Sequence, residues 1–219
     1  MVNMPTVDSG DYELQEDSAV ATPKHGTSVQ SGWDAADKLL TSKKKYGDDF
    51  KPSETAQLVR FLEDGPFHTY ELHWLTRESG KRSFVSLGED DPLTTIAKSI
   101  PRPRFAFNVL NLSAETPTVE VLTAPPTLMR QLREANNDPR RGPLTKYYWA
   151  ISRSGTGKDT LYTLERVKSE DLASEWGFDP AVAEEAATSA VCYDASSIYV
   201  ASREEHVEVA REIAARMTD

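Results

Sequence analysis

Between Thr55 and Thr123 the sequence breaks into five short runs rich in Val, Phe, Tyr, Trp and Leu, each stopped by turn residues. This rhythm restricts the fold more than any other feature. The runs are Thr55–Leu62, Phe67–Trp74, Arg82–Leu87, Arg104–Leu110 and Thr118–Thr123. Asp64-Gly65-Pro66, Ser79-Gly80-Lys81, Gly88–Pro92 and Ser113–Pro117 separate them. Runs this short, bounded this way, predict successive strands. Pro125-Pro126 then opens a helix over Thr127–Ala135, with Leu128, Met129, Leu132 and Ala135 at helical spacing. Two further strands are expected at Lys146–Arg153 and Thr160–Lys168, joined by a hairpin turn over Ser154–Asp159. Strands, one late helix and a closing hairpin predict a mainly β (α+β) unit, an OB-like small β-barrel that closes to remove its edges. An open β-sandwich fits the pattern nearly as well.

Charge divides the chain into three parts. The whole carries −10, but residues 1–54 hold 6 basic and 10 acidic groups, residues 55–168 hold 16 and 13, and residues 169–219 hold 3 and 12. A basic centre therefore lies between acidic ends, and the overall sign does not exclude nucleic acid. With 38% hydrophobic residues, part of the chain is expected to stay outside any core. Residues 1–50 are expected to be mostly disordered and to carry a basic cluster, with a short helix at Trp33–Leu40. Residues 51–168 are expected to form an OB-like core, the part of the chain whose basic balance would suit nucleic acid. Residues 169–219 form an acidic helical region, with helices starting near Ser169 and Pro180. A last helix spans Arg203–Met217, with Val207, Ala210, Ile213, Ala214 and Met217 on one face. No apolar run approaches the roughly 18 residues of a membrane helix, and residues 1–32 do not resemble a secretory signal. Cys192 is the only cysteine, so no internal disulfide or Cys-based metal cluster is expected, and a cytoplasmic location suits the chain.

Proteins that hold single strands combine cations along the phosphates with aromatic faces under the bases. Alternation in the expected strands places His68, Tyr70, Leu72 and Trp74 together, and likewise Arg82, Phe84 and Ser86, and Arg104, Ala106 and Asn108. Tyr147, Trp149, Ile151 and Arg153 share a face in the late hairpin; Tyr162, Leu164, Arg166 and Lys168 share another. The candidate single-stranded-DNA contacts are Lys43, Lys44, Lys45, Arg60, Tyr70, Trp74, Arg82, Phe84, Arg102, Arg104, Tyr147, Trp149, Arg153, Lys158 and Tyr162. Phe105 and Phe107 read as core, whereas Tyr70, Trp74, Tyr148 and Trp149 are balanced between core and stacking. Tyr147-Tyr148-Trp149 puts rings on both faces of one strand, so at least one ring is expected outside the core.

Other chemistries find no support. Gly155-Thr156-Gly157-Lys158 is not a phosphate-binding loop, because Ser152 stands where Gly is required, Asp159 follows the Lys, and the flanks read as strand-turn-strand. His25, His68, His73 and His206 are scattered along the chain, and Glu89-Asp90-Asp91 reads as a solvated turn. No catalytic residue, metal or cofactor is expected, and the chain reads as a non-enzyme.

Several segments resemble the single-stranded-DNA-binding proteins of actinobacterial phages, which are distantly similar to the helix-destabilising proteins of T4-type phages. They are Leu58–Phe67, Trp74, Lys81–Gly88, Phe105–Leu110, Gly142-Pro143-Leu144, Tyr148–Arg153 and Glu170-Asp171-Leu172. The resemblance covers roughly residues 55–178. It implies an OB fold, sequence-tolerant binding of single-stranded DNA, and a role in phage DNA replication, recombination or repair. It also implies that Thr41–Lys45 matches the basic cluster that supports cooperative binding in the T4-type relatives. Where relatives have a Cys-Pro-Leu-Cys segment, this chain has Asp91-Pro92-Leu93-Thr94, so their structural zinc is not expected here. Expected partners are single-stranded DNA, replication or recombination proteins recruited by the acidic C-terminal region, and further copies of the chain, without membrane association. The alternative is a phage protein-interaction module with no intrinsic DNA affinity, docking through Val207–Met217.

Overall fold

A computed structural model describes residues 46–77 and 80–216. The expected helix at Trp33–Leu40 and the cluster Lys43, Lys44 and Lys45 lie outside the described residues, as does the disorder expected nearer the chain start. Within them, each expected run becomes a strand: β2 (Gln57–Phe61), β3 (His68–Trp74), β4 (Ser83–Val85), β5 (Arg102–Asn111), β6 (Thr118–Ala124), β7 (Tyr148–Ser154) and β8 (Leu161–Val167). A two-residue strand, β1 (Asp49–Phe50), precedes them. Helices α1 (Pro92–Thr95), α2 (Pro126–Asn137), α3 (Asp171–Trp176), α4 (Pro180–Thr188) and α5 (Arg203–Arg216) complete the chain.

All eight strands belong to one mixed sheet, ordered β1-β6-β5-β2-β7-β8, with β3 on β5 and β4 on β3. One sheet, not two packed sheets, rules out the open sandwich. Only β1 runs parallel to its neighbour, β6. The ten-residue β5 organises the rest. One edge pairs with β6, while the other pairs first with β3, through Arg102–Ala106, and then with β2, through Val109–Asn111. The sheet is strongly curled into a half-barrel, giving a mainly β, α+β architecture.

Burial occurs on both faces of the central strands. On one side Phe61, Phe107, Leu122, Trp149 and Ile151 pack with Leu128 and Leu132 of α2. The rings of Phe61 and Phe107 meet edge-on at 5.7 Å. Trp149 is wholly buried and its indole N–H donates to the Leu144 carbonyl at 2.8 Å, so the ring carries no unpaired donor. On the other side Leu58, Leu110, Tyr148 and Ala150 are covered by Leu172 of α3 and Ala183 of α4. Of the three rings of Tyr147-Tyr148-Trp149, at least one of which is expected outside the core, only Tyr147 is not fully buried. Tyr148 and Trp149 are both buried, and Tyr147 is half-buried against the α2 side. The helices after residue 168 supply the cover that a strand-only reading lacks. Each such large apolar side chain contributes roughly 1.5–3 kcal/mol on burial.

A third cluster holds α5 to the sheet. Leu75 and Phe84 pack with Leu93 and Ala97 around α1 and with Val209 and Ala210 of α5, with Ile213 beside them. The inward face of α5 is thus His206, Val209, Ala210 and Ile213, and Val207 is only half-buried. The expected apolar face was rotated because it passed over His206, a titratable residue with a buried partner. Asp91 and Asp179 cap α1 and α4 by accepting the backbone N–H of Leu93 and Ala181. The cap position of α3 is Glu170, not Ser169, and α3 ends on Gly177 at φ 64°, where glycine is favoured.

Between α4 and α5 the chain crosses β5 and β6 as an irregular strap. Asn108 of β5 grips it from below: Nδ2 donates to the Tyr193 carbonyl at 3.0 Å, and Oδ1 accepts the Tyr193 N–H at 2.9 Å. Asn108→Ala should cost about 1 kcal/mol and loosen the strap. Limited proteolysis between Ser189 and Ser202 checks this, with faster cleavage expected in the variant. No described helix is long and apolar enough to cross a membrane.

Candidate nucleic-acid interface

Strand register decides which side chains meet. Tyr70 pairs with Arg104 across β3 and β5, and Ala106 with Thr123 across β5 and β6. Tyr70, Leu72 and Trp74 of β3 alternate onto the same side, as do Ser83 and Val85 of β4. Arg153 faces Tyr162 across β7 and β8. Together with β1 and the strap these elements enclose an open groove of about 730 Å³.

The groove contains the rings of Tyr46, Tyr70, Trp74, Tyr162 and Tyr199 and the cations Lys51, Lys81, Arg104 and Arg153, against the carboxylate of Asp49, 3.8 Å from Lys51, and that of Glu205, which accepts from the Tyr199 hydroxyl at 3.0 Å. Trp74 is the most exposed of these rings, at 69%, and Tyr46 and Tyr199 are about two-fifths exposed. Tyr46 meets Tyr199 edge-on at 5.2 Å, and the Lys81 ammonium lies 3.7 Å from the centre of the Tyr199 ring. Desolvation holds the Lys81 pKa below the usual lysine value. Desolvation likewise lowers Arg104, which still remains charged at any physiological pH, and raises the Tyr70 phenol, whose hydroxyl lies 3.4 Å from Thr123 Oγ1. Partly desolvated cations beside exposed rings attract phosphates more strongly than cations fully in water.

Of the candidate contacts, the groove brings together Tyr70, Trp74, Arg104, Arg153 and Tyr162. Arg102, opposite Leu72 in the register, is exposed at its rim. Lys158 sits in the turn Gly157–Asp159, and nothing is described of its side chain. Five assignments need correction. Phe84 and Trp149 are buried in the core, and no base can reach either ring. Arg60 is held inside a structural cluster: its Nη1 lies 2.6 Å from Glu184 Oε1 and donates to the Tyr148 hydroxyl at 3.2 Å. Burial, reinforced by Glu184, pushes that phenol up to about 12, and the hydrogen bond from Arg60 lowers Glu184. Tyr147 packs on the α2 core with Arg166 and Lys146 near its ring, away from the groove. Arg82 is exposed but does not line the groove. On this stretch the groove takes Lys81, Ser83 and Val85, the alternate set, so an offset of one residue selects the opposite face.

Tyr46, Lys51, Lys81 and Tyr199 were missed by sequence reading. Lys81 carried a signal, as the last residue of a turn beside an alternating strand. Tyr199 carried none, since it reaches the groove only because the strap returns across the sheet.

The structure also joins residues that are distant in sequence. His73, Asp91 and His206 are all wholly buried. Asp91 Oδ1 accepts from Leu93 N at 2.7 Å and lies 3.0 Å from His206 Nδ1. Its Oδ2 accepts from Leu87 N at 2.8 Å and lies 3.3 Å from His73 Nε2, while His73 Nδ1 lies 3.0 Å from Ser99 Oγ. Reading Glu89-Asp90-Asp91 as solvated therefore fails for Asp91. Desolvation lowers His73, and its hydrogen bonds outweigh burial to lower Asp91. Three hydrogen-bond partners, Leu87 N, Leu93 N and His206 Nδ1, occupy the carboxylate, and no group of three or more His, Cys, Asp or Glu among the described residues is arranged to hold a metal ion.

The chain matches no family model, no curated protein and no solved structure.

Proposed function

We propose that this protein binds single-stranded DNA without strong sequence preference, as a binding module on an OB-like half-barrel, in support of phage DNA replication, recombination or repair. The observation that carries the reading is the groove itself, where three exposed rings stand among four cations and only two carboxylates, Asp49 and Glu205. Base stacking contributes roughly 1–3 kcal/mol per base and tolerates any sequence, because every base has a π-face. The lining contains no Asn or Gln, the side chains that read adenine edges, which favours tolerance over specificity. The curled sheet, with a long central strand pairing on both edges, is compatible with the OB-like barrel expected from the sequence.

Fluorescence titration with oligo(dT) at low and moderate salt tests the proposal. Tryptophan quenching should saturate, and log affinity should fall linearly with log salt with a slope near −0.7 per phosphate neutralised. Duplex DNA of the same length should bind more weakly, since its bases are not free to stack. A chain that shows neither quenching nor salt dependence does not have this function.

A further inference from the structure

We propose that the single strand continues beyond the groove, over Trp74, into a second cleft against the C-terminal helix, where Arg216 contacts a phosphate. The inference rests on the single-strand reading above and extends its site to residues that no strand of the sheet supplies.

Trp74 lines both cavities. The second, about 320 Å³, is formed by Trp74, Leu75, Thr76, Ser99, Ile213 and Arg216. Trp74 is therefore common to both, and a strand stacked on its exposed ring leaves the first cavity next to the second. The cleft offers the apolar surface of Ile213 to a base or sugar and the hydroxyls of Thr76 and Ser99 to polar edges.

Its charge favours a phosphate. Glu212 Oε2 lies 2.5 Å from Arg77 Nη2, and its Oε1 lies 3.2 Å from Arg216 Nη2. Among the described residues, these two guanidiniums share one carboxylate, which leaves one surplus positive charge. Arg77 is the inner partner, its side chain 14% exposed, and also donates to the Lys81 carbonyl; Arg216 is the outer one at 46%. The surplus is thus presented at Arg216. An exposed ion pair one helical turn apart is weak, whereas an arginine-phosphate contact is charge-assisted and often bidentate, so Arg216 exchanges Glu212 for a phosphate at little cost. The C-terminal segment is strongly acidic as a whole, yet here it adds a cation to the track.

The test is the salt dependence of binding for wild type, Arg216→Ala and Arg216→Lys, with oligo(dT) of about four and about twelve nucleotides. Arg216→Ala should flatten the slope of log affinity against log salt by about 0.7 on the longer oligomer and leave the shorter one unchanged, and Arg216→Lys should restore most of the slope. Equal slopes for wild type and Arg216→Ala on the longer oligomer overturn the second cleft while the groove stands. An equal loss at both lengths overturns it too, because the residue would then act on the groove or the fold and not on an extension. A wild type that binds neither oligomer removes the single-strand reading along with it.

Discussion

Trp74→Ala should weaken oligo(dT) binding by about 5- to 150-fold, the range expected when one stacking platform worth roughly 1–3 kcal/mol is removed. Trp74 stands at the end of β3 with 69% of its surface exposed and is common to two cavities. Of the other described tryptophans, Trp149 is wholly buried and Trp176 packs against the α3–α4 side of the sheet. Most of the DNA-dependent quenching among described tryptophans should therefore vanish with this substitution. Thermal stability should barely change, because the ring contributes little to the core. Trp74→Phe should recover a large part of the affinity, since a smaller ring still stacks. Unaltered affinity in Trp74→Ala would place the bases elsewhere and remove the main support for the groove.

Asp91→Ala should be the most damaging single change to stability, because it leaves several donors without their acceptor, at roughly 1–3 kcal/mol for each one that stays buried. The carboxylate satisfies the N–H groups of Leu87 and Leu93, caps α1, and links His73 of β3 to His206 of α5. Without it two buried imidazoles face one another without an acceptor. Urea unfolding should show the midpoint shift, and α5 should lose hydrogen-exchange protection before the sheet does. Asp91→Asn should be milder, because one amide oxygen still accepts.

The same cluster fixes the direction of pH dependence. His73 has a folded pKa below the unfolded value of about 6.5. Below 6.5 the unfolded chain binds a proton that the folded chain resists, so stability falls as pH drops through that point. Asp91 has a folded pKa below its unfolded value of 3.8, so its contribution is fully present above 3.8 and is lost as pH falls toward the folded pKa. Both groups act in one direction. Wild-type stability should fall in two stages on acidification, beginning near pH 6.5 and steepening below about 4, at up to about 1.4 kcal/mol per pH unit per group. In Asp91→Ala the second stage should be reduced. Flat stability from pH 7 to pH 5 would contradict the buried neutral state of His73.

The strands were legible because turn residues punctuate alternating runs, and α2 because Leu128, Leu132 and Ala135 recur at helical spacing after two prolines. Half of the groove was legible for the same reason: alternation on β3 puts Tyr70, Leu72 and Trp74 together without further information. Alternation also misled. Lys81 and Arg82 are adjacent cations on opposite faces, and the pattern alone does not say which face meets the core. At Tyr148 and Trp149 it failed altogether, because a strand buried on both sides has no polar face to reveal its orientation.

By itself the sequence determined the order of the strands β2–β8 and of the helices other than α1, their approximate ends and the basic centre between acidic flanks, since propensity, periodicity and turn chemistry act between residues close along the chain. Only the tertiary structure decided that Trp74 is outside and Trp149 inside, that Tyr199 returns to stand over Lys81, and that His73, Asp91 and His206 converge. Those outcomes depend on sheet curl and on how α3, α4 and α5 cover it. Contacts across 115 residues, such as Asp91 to His206, leave no trace in local pattern because their energy exists only once both groups have been withdrawn from water together.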